Sequence, residues 1–174
     1  MAEERLRTRL EEINHSVKVK ILCLYGQMHE DDRAEVFAPL EPGYHHKVIF
    51  TTNVAETSIT IPGVRYIVDC GLAKVKKFDA VRRISVVDLD LISKVSAEQR
   101  AGRAGRTAPG VCFRLYSKKH FDGMTPTNNA DIVLSNLAEV VLYMVSVGIE
   151  NPESFDFIEK PNPGLLMQAL KLLR

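Results

Sequence analysis

Residues 99–106 read Gln-Arg-Ala-Gly-Arg-Ala-Gly-Arg, with three arginines set among residues no larger than alanine. Ser96 and Gln99 have the spacing of a capping box, which predicts a helix beginning there, its first free amides satisfied by the serine oxygen and the glutamine side chain. On such a helix, turning about 100° per residue, Gln99, Arg103 and Arg106 stand at i, i+4 and i+7 within a narrow arc of one face. No Asp or Glu lies three or four positions from any of the three arginines, so none has an ion-pair partner on its own helix. The partner has to come from elsewhere. One reading is a solvated basic turn. Two internal glycines, each costing about 1 kcal/mol in a helix, argue against it. Small residues let something large and flat come close, and forked guanidiniums beside bare backbone suit a polyphosphate.

Working outward, the chain has the size and composition of a globular protein: 174 residues, 45% hydrophobic and 26% charged. That is enough for one core and part of another. A net charge of +1 excludes a domain that holds nucleic acid by bulk field, so any such contact is local. Cys23, Cys70 and Cys112 are odd in number and far apart in apolar runs, which predicts reduced core thiols of a nuclear or cytoplasmic protein and no metal site. The charged N-terminus lacks an apolar signal core. The most apolar run, 132–149, carries Glu139 and predicts no membrane span. The sequon at 14–16 is no more than chance supplies.

Acidic residues in the first turn and a Leu6, Leu10, Ile13 stripe predict an amphipathic helix over 2–13. Residues 18–25 become continuously apolar, as a buried strand does, and Gly26 breaks them. A helix over 30–37 with Ala34, Val36 and Phe37 inward, and a strand over 47–52, complete an alternation typical of an open parallel α/β sheet. A strand is predicted over 64–68, two more with a turn near 80–83 over 74–90, and another over 111–116. Ser117 caps a short helix to 121. Helical periodicity over 131–147 stops at Gly148, and a last helix covers 164–174.

A second signal lies at 51–63, Thr-Thr-Asn-Val-Ala-Glu-Thr-Ser-Ile-Thr-Ile-Pro-Gly. Hydroxyls and an amide crowd the carboxyl end of a strand, where open α/β sheets place ligands. Taken singly, they are equally turn and cap residues. Half of 74–83 is basic. It reads either as an edge hairpin protected by lysines or as a run of phosphate contacts.

The octapeptide at 99–106 resembles motif VI of superfamily 2 helicases in the spelling of the DEAH-box (DEAH/RHA) RNA helicases, and 51–63 resembles their motif V. The two stand in the family's order and separation, and the resemblance spans nearly the whole chain. It implies a RecA-like open, mostly parallel sheet with flanking helices and an inserted β-hairpin over 1–124, then the start of an α-helical winged-helix domain over 125–174. The Ser-Phe-Asp-Phe string at 154–157 belongs to that second match. The family's pattern implies that Arg103 and Arg106 are arginine fingers for an ATP gamma-phosphate and that Gln99 helps place the attacking water. It also implies that Thr52 bonds an RNA phosphate, that Ser58 couples that grip to the nucleotide, and that Thr60 approaches the ribose or the metal-bound phosphates. Phe37, by its residue type an ordinary core aromatic, would stack on the base. Lys76, Lys77, Arg82 and Arg83, on the hairpin between the motifs, would meet the RNA backbone. Pro62 stands where many members carry an acidic residue that holds the ribose, and Leu134 where many carry an arginine.

The sequence lacks a Gly-x-x-x-x-Gly-Lys-Ser/Thr phosphate loop, a DEAH carboxylate pair for magnesium, and the central strand expected just before the first helix. ATP and Mg2+ are therefore expected mainly on a first RecA-like domain of a longer parent. The other expected partners are RNA and a glycine-patch-type protein, and this chain alone is expected to hydrolyse nothing. The alternative is an inactive helicase-like fragment that binds RNA or a protein.

Overall fold

The computed structural model describes residues 2–13, 17–57, 59–79 and 82–173. Helix α1 (Ala2–Glu12) leads into strand β1 (Val19–Leu24), helix α2 (Glu30–Phe37) and strand β2 (His46–Thr51). Strand β3 (Tyr66–Asp69) precedes a hairpin of β4 (Leu72–Asp79) and β5 (Ile84–Leu91), then helix α3 (Lys94–Ala101) and strand β6 (Val111–Arg114). Four helices finish the chain: α4 (Lys118–Gly123), α5 (Asp131–Leu134), α6 (Leu137–Ser146) and α7 (Pro163–Leu173).

The parallel strands are there, but they pair two by two. β1 lies parallel to β2, β3 lies parallel to β6, and β4 and β5 form an antiparallel hairpin. β2 and β3 share no backbone ladder. A cleft of about 1180 Å3 lies between them, lined by Ile49 and Thr51 on one side and by Tyr66, Ile67 and Val68 on the other. Alternation along β3 and β6 turns Tyr66, Val68, Val111 and Phe113 outward, all exposed. The Tyr66 and Phe113 rings stack at 6.4 Å between centroids.

Among the described residues, two clusters of buried side chains stand beside the buried Ile21, Leu24 and Val36 of β1 and α2. Ile92, Ala97 and Met124 pack with Ala73, Tyr116 and Phe121 beneath α3. Leu137, Val141, Leu166 and Ala169 join α6 to α7, with Phe157 against them. The predicted stripe of α1 is only partly covered: Leu6 and Leu10 are half-buried and Ile13 is exposed. In α2 the buried residue is Val36; Phe37 is half-buried and Ala34 is exposed.

Local chemistry explains where other elements depart from the sequence reading. The helix expected over 131–147 divides at Ser135 and Asn136. The Ser135 hydroxyl donates to the Asp131 carbonyl, and the Asn136 side chain accepts the Ala138 amide, which starts a new helix. Its end follows expectation: Gly148 takes a φ of 87°, its amide bonds the Val145 carbonyl, and the Ile149 amide bonds that of Met144. This is a Schellman closure. Ser117 caps α4 by accepting the His120 amide. All three cysteines are free, but Cys70 is exposed and so is no core thiol.

Candidate functional site

The organising stretch folds differently from the single basic helix face read from its spacing. α3 starts three residues earlier than expected, with Ser93 as its cap accepting the Ser96 amide at 3.1 Å. Ser96 is inside the helix and buried, its hydroxyl bonded to Asn128. The helix stops at Ala101, where Gly102 and Gly105 make continuation costly. The amides of Arg103, Ala104 and Gly105 then reach back three residues, to Arg100, Ala101 and Gly102. Arg103 and Arg106 therefore sit on tight turns beyond the helix, while Gln99 stays on it, exposed. Gly110 closes the loop against residue 65. A Cβ there would meet the Ala104 carbonyl oxygen at 2.2 Å and that of Arg65 at 2.6 Å.

The turn aims both guanidiniums at one segment. Arg103 donates to the carbonyls of Thr57 at 2.9 Å and Ile59 at 3.2 Å, and Arg106 donates to the Thr60 hydroxyl. Burial and the neighbouring Arg106 charge push the Arg103 pKa down, as expected where two cations share a small space. Phe37, Thr52, Thr60, Arg103 and Arg106 all line the cleft between β2 and β3, together with Pro62. Gln99 and the hairpin cations Lys76, Lys77, Arg82 and Arg83 do not line it. Ser58 lies outside the described residues, as do the sequon at 14–16 and residues 80–81 of the hairpin turn.

The four hairpin cations divide into two kinds. Lys77 bonds Asp90 across the ladder, which raises the lysine pKa and lowers that of the aspartate. The Arg82 amide donates to Asp79 at 3.0 Å and its guanidinium lies 3.8 Å from the same carboxylate. Lys76 stands exposed opposite Val87. Arg83 turns the chain with a φ of 56° in place of the Gly or Asn such a turn prefers.

Arg100 had no assigned place in the sequence reading, and it is the most tightly held cation of the site. Its Nε donates to Glu56 at 2.9 Å, and its Nη1 donates to Asp69 at 2.9 Å and to the Leu72 carbonyl at 3.1 Å. Glu56 and Asp69 are buried. Burial opposes the Arg100 charge, but the bonds to both carboxylates prevail and raise its pKa. The other Asp69 oxygen accepts the Tyr116 hydroxyl at 2.7 Å. The available signal was the lack of any partner for Arg100 on its own helix.

Burial, then the bond to Asp69, raises the Tyr116 pKa above its ordinary value of 10.0. A raised phenol pKa means that this contribution to stability is complete below about pH 10 and fades as pH climbs toward the folded-state value. Tyr116→Phe is expected to flatten the alkaline limb of the stability curve. Urea midpoints followed from pH 8 to 12 check this, and parallel limbs in the two proteins would refute it.

The helicase conserved C-terminal domain model matches residues 2–108. The chain belongs to the helicase conserved C-terminal domain family. It is 37% identical over 170 residues to the pre-mRNA-splicing factor ATP-dependent RNA helicase DEAH10 of Arabidopsis thaliana, covering 98% of this chain and 23% of that protein. It is 40% identical over 161 residues to the probable ATP-dependent RNA helicase DHX34 of Homo sapiens, covering 92% of this chain and 14% of that one. The E. coli DExH-box NTPase HrpB superposes with a TM-score of 0.83 at 30% identity, over 98% of this chain and 21% of its own. This helicase C-terminal domain thus spans less than a quarter of the length of these relatives, and it has the RecA-like helicase fold. No helix among the described residues is long and apolar enough to cross a membrane.

Proposed function

We propose that this domain supplies the second RecA-like half of a DEAH-box ATP-dependent RNA helicase, with Arg103 and Arg106 as arginine fingers and Gln99 placing the attacking water. The observation that carries the reading is the convergence of both guanidiniums on Thr57, Ile59 and Thr60, in a cleft that Phe37 also lines. Two forked cations, a hydroxyl and an aromatic ring in one cleft fit one side of a nucleoside triphosphate. Bound there, ATP supplies a phosphoryl group whose transfer to water drives the cycle. Arg103 and Arg106 place fixed charge against the anionic oxygens, Thr60 approaches the ribose or the metal-bound phosphates, and Phe37 offers a face to the base. ATP and Mg2+ are held mainly by a first RecA-like domain, so this chain alone turns over no ATP. Residues 1–124 are the RecA-like unit and 125–174 open a winged helix, the end at which a glycine-patch-type partner would dock. The setting is nuclear or cytoplasmic.

The RNA track runs from Thr52, exposed directly after β2, along the hairpin. Ser58 is retained as the coupling residue on the strength of the motif alone. Because Lys77 and Arg82 already face carboxylates, Lys76 and Arg83 are the hairpin's effective phosphate contacts. Binding of single-stranded RNA by this chain is expected to be weak, little dependent on sequence and sensitive to salt. Replacing Lys76 and Arg83 with alanine should lower the slope of log affinity against log salt by about 1.4, at about 0.7 per phosphate contact. Replacing Lys77 and Arg82 should change it less. Filter binding across a salt series checks this, and an unchanged slope for the first pair would return the hairpin to a solvated edge.

A further inference from the structure

We infer that Arg100 is a positioning residue that couples the RNA-gripping segment after β2 to the turn carrying Arg103 and Arg106. This rests on the helicase reading above and deepens it by naming how RNA occupancy reaches the fingers. Glu56 lies four residues after Thr52 and directly before Thr57, whose carbonyl accepts Arg103. The Glu56 amide bonds the Asn53 carbonyl at 3.0 Å, closing a single tight turn from Thr52 to the carboxylate. One guanidinium thus holds two different parts of the fold. Its Nη1 is fixed to the end of β3 and the start of β4, through Asp69 and Leu72, while its Nε holds the loop through Glu56. Asp69 is itself secured by Tyr116, just beyond β6. The sheet end of this strut is anchored on the buried Asp69. The loop end belongs to the segment that begins with the exposed Thr52.

Arg100 also stands three residues before Arg103, whose amide bonds the Arg100 carbonyl at 3.0 Å. A displacement of Glu56 therefore acts on the first turn after α3, the one that sets where the finger guanidiniums lie. The two arms have separate duties. The arm to Glu56 transmits, and the arm to Asp69 and Tyr116 provides a fixed point.

A buried ion pair that serves stability alone makes a different prediction, and the ratio of RNA-stimulated to RNA-free ATP turnover separates the two. The measurement uses a full-length helicase carrying this chain, with a single-stranded RNA as activator and melting temperature as the folding control. Arg100→Lys keeps the charge but cannot hold both carboxylates with one ammonium in the forked geometry, and Glu56→Gln removes the charge of the loop arm alone. Each is expected to lower the ratio about tenfold, the size of an ordinary coupling between sites. Tyr116→Phe, which loosens only the sheet arm, should lower the melting temperature and leave the ratio unchanged. An unaltered ratio in both Arg100→Lys and Glu56→Gln, or a proportionate fall of both rates with melting temperature, would overturn the inference. Absence of RNA stimulation in the unsubstituted protein would overturn the helicase reading and the coupling together. Arg106→Lys, which should depress both rates, reports separately on the finger assignment.

Discussion

Arg103→Lys or Arg106→Lys, placed in a full-length helicase carrying this chain, is expected to lower RNA-stimulated ATP turnover by about 10³ to 10⁵. Such a loss corresponds to roughly 4 to 7 kcal/mol of transition-state stabilisation. The structure allows a competing explanation to be sized. Arg103 donates to three backbone carbonyls, those of Gln99, Thr57 and Ile59, and Arg106 to one hydroxyl, all at the protein surface or partly covered. Ordinary hydrogen bonds contribute about 0.5 to 1.5 kcal/mol each, and lysine would keep part of that. A purely structural role therefore moves the melting temperature slightly and turnover by a small factor. Lysine should not rescue either position, because a single ammonium cannot reproduce the forked geometry that matches phosphate oxygens. Near-normal turnover in both variants, with unchanged melting temperatures, would defeat the finger assignment.

The second large effect is on stability. Asp69→Ala leaves Arg100 with Glu56 as its one carboxylate and the Leu72 carbonyl, and removes the acceptor of Tyr116, so a largely covered cation loses half its compensating charge and a partly buried hydroxyl loses its partner. Breaking one member out of a buried ion pair typically costs about 3 to 5 kcal/mol. Whole domains are stable by about 5 to 15 kcal/mol, so this single change is expected to bring the chain close to unfolding at room temperature. Urea denaturation of the 174-residue chain measures it. A cost below about 1 kcal/mol would mean that solvent reaches the network and that it behaves as a surface pair.

The elements with strong local signals were legible in the sequence. Gly148 closed its helix as expected, Ser117 capped α4, and the apolar run of β1 buried Ile21 and Leu24. Motifs whose spelling is specific led to the family and the fold. What failed were inferences that needed competition between neighbours. Ser96 and Gln99 have capping-box spacing, but Ser93 offers a cap one turn earlier and takes the role. The regular spacing of Gln99, Arg103 and Arg106 suggested a single helix face, yet the two glycines that argued for a ligand also end the helix. A hydrophobic period spanned 131–147, and the Ser135-Asn136 pair inside it divided the segment. Charge pairing was the least visible. Lys77 with Asp90, and Arg100 with Glu56 and Asp69, join residues 13, 44 and 31 positions apart, a distance at which composition and periodicity are silent.

The separation of β2 from β3 bears on how this chain melts. Cooperativity in a sheet comes from a continuous ladder, in which losing one strand exposes the backbone of the next. Here the ladder is interrupted, and the β1 and β2 pair can lose its order without stripping hydrogen bonds from β3 and β6. What crosses the gap is a set of guanidiniums: Arg100 joins Glu56 after β2 to Asp69 at the end of β3, and Arg103 and Arg106 reach Thr57, Ile59 and Thr60. Heating the chain should then give a broad transition whose van't Hoff enthalpy falls short of the calorimetric one, the sign of two units melting in partial independence. Three arginine side chains, more than any strand pairing, determine how nearly those two transitions coincide.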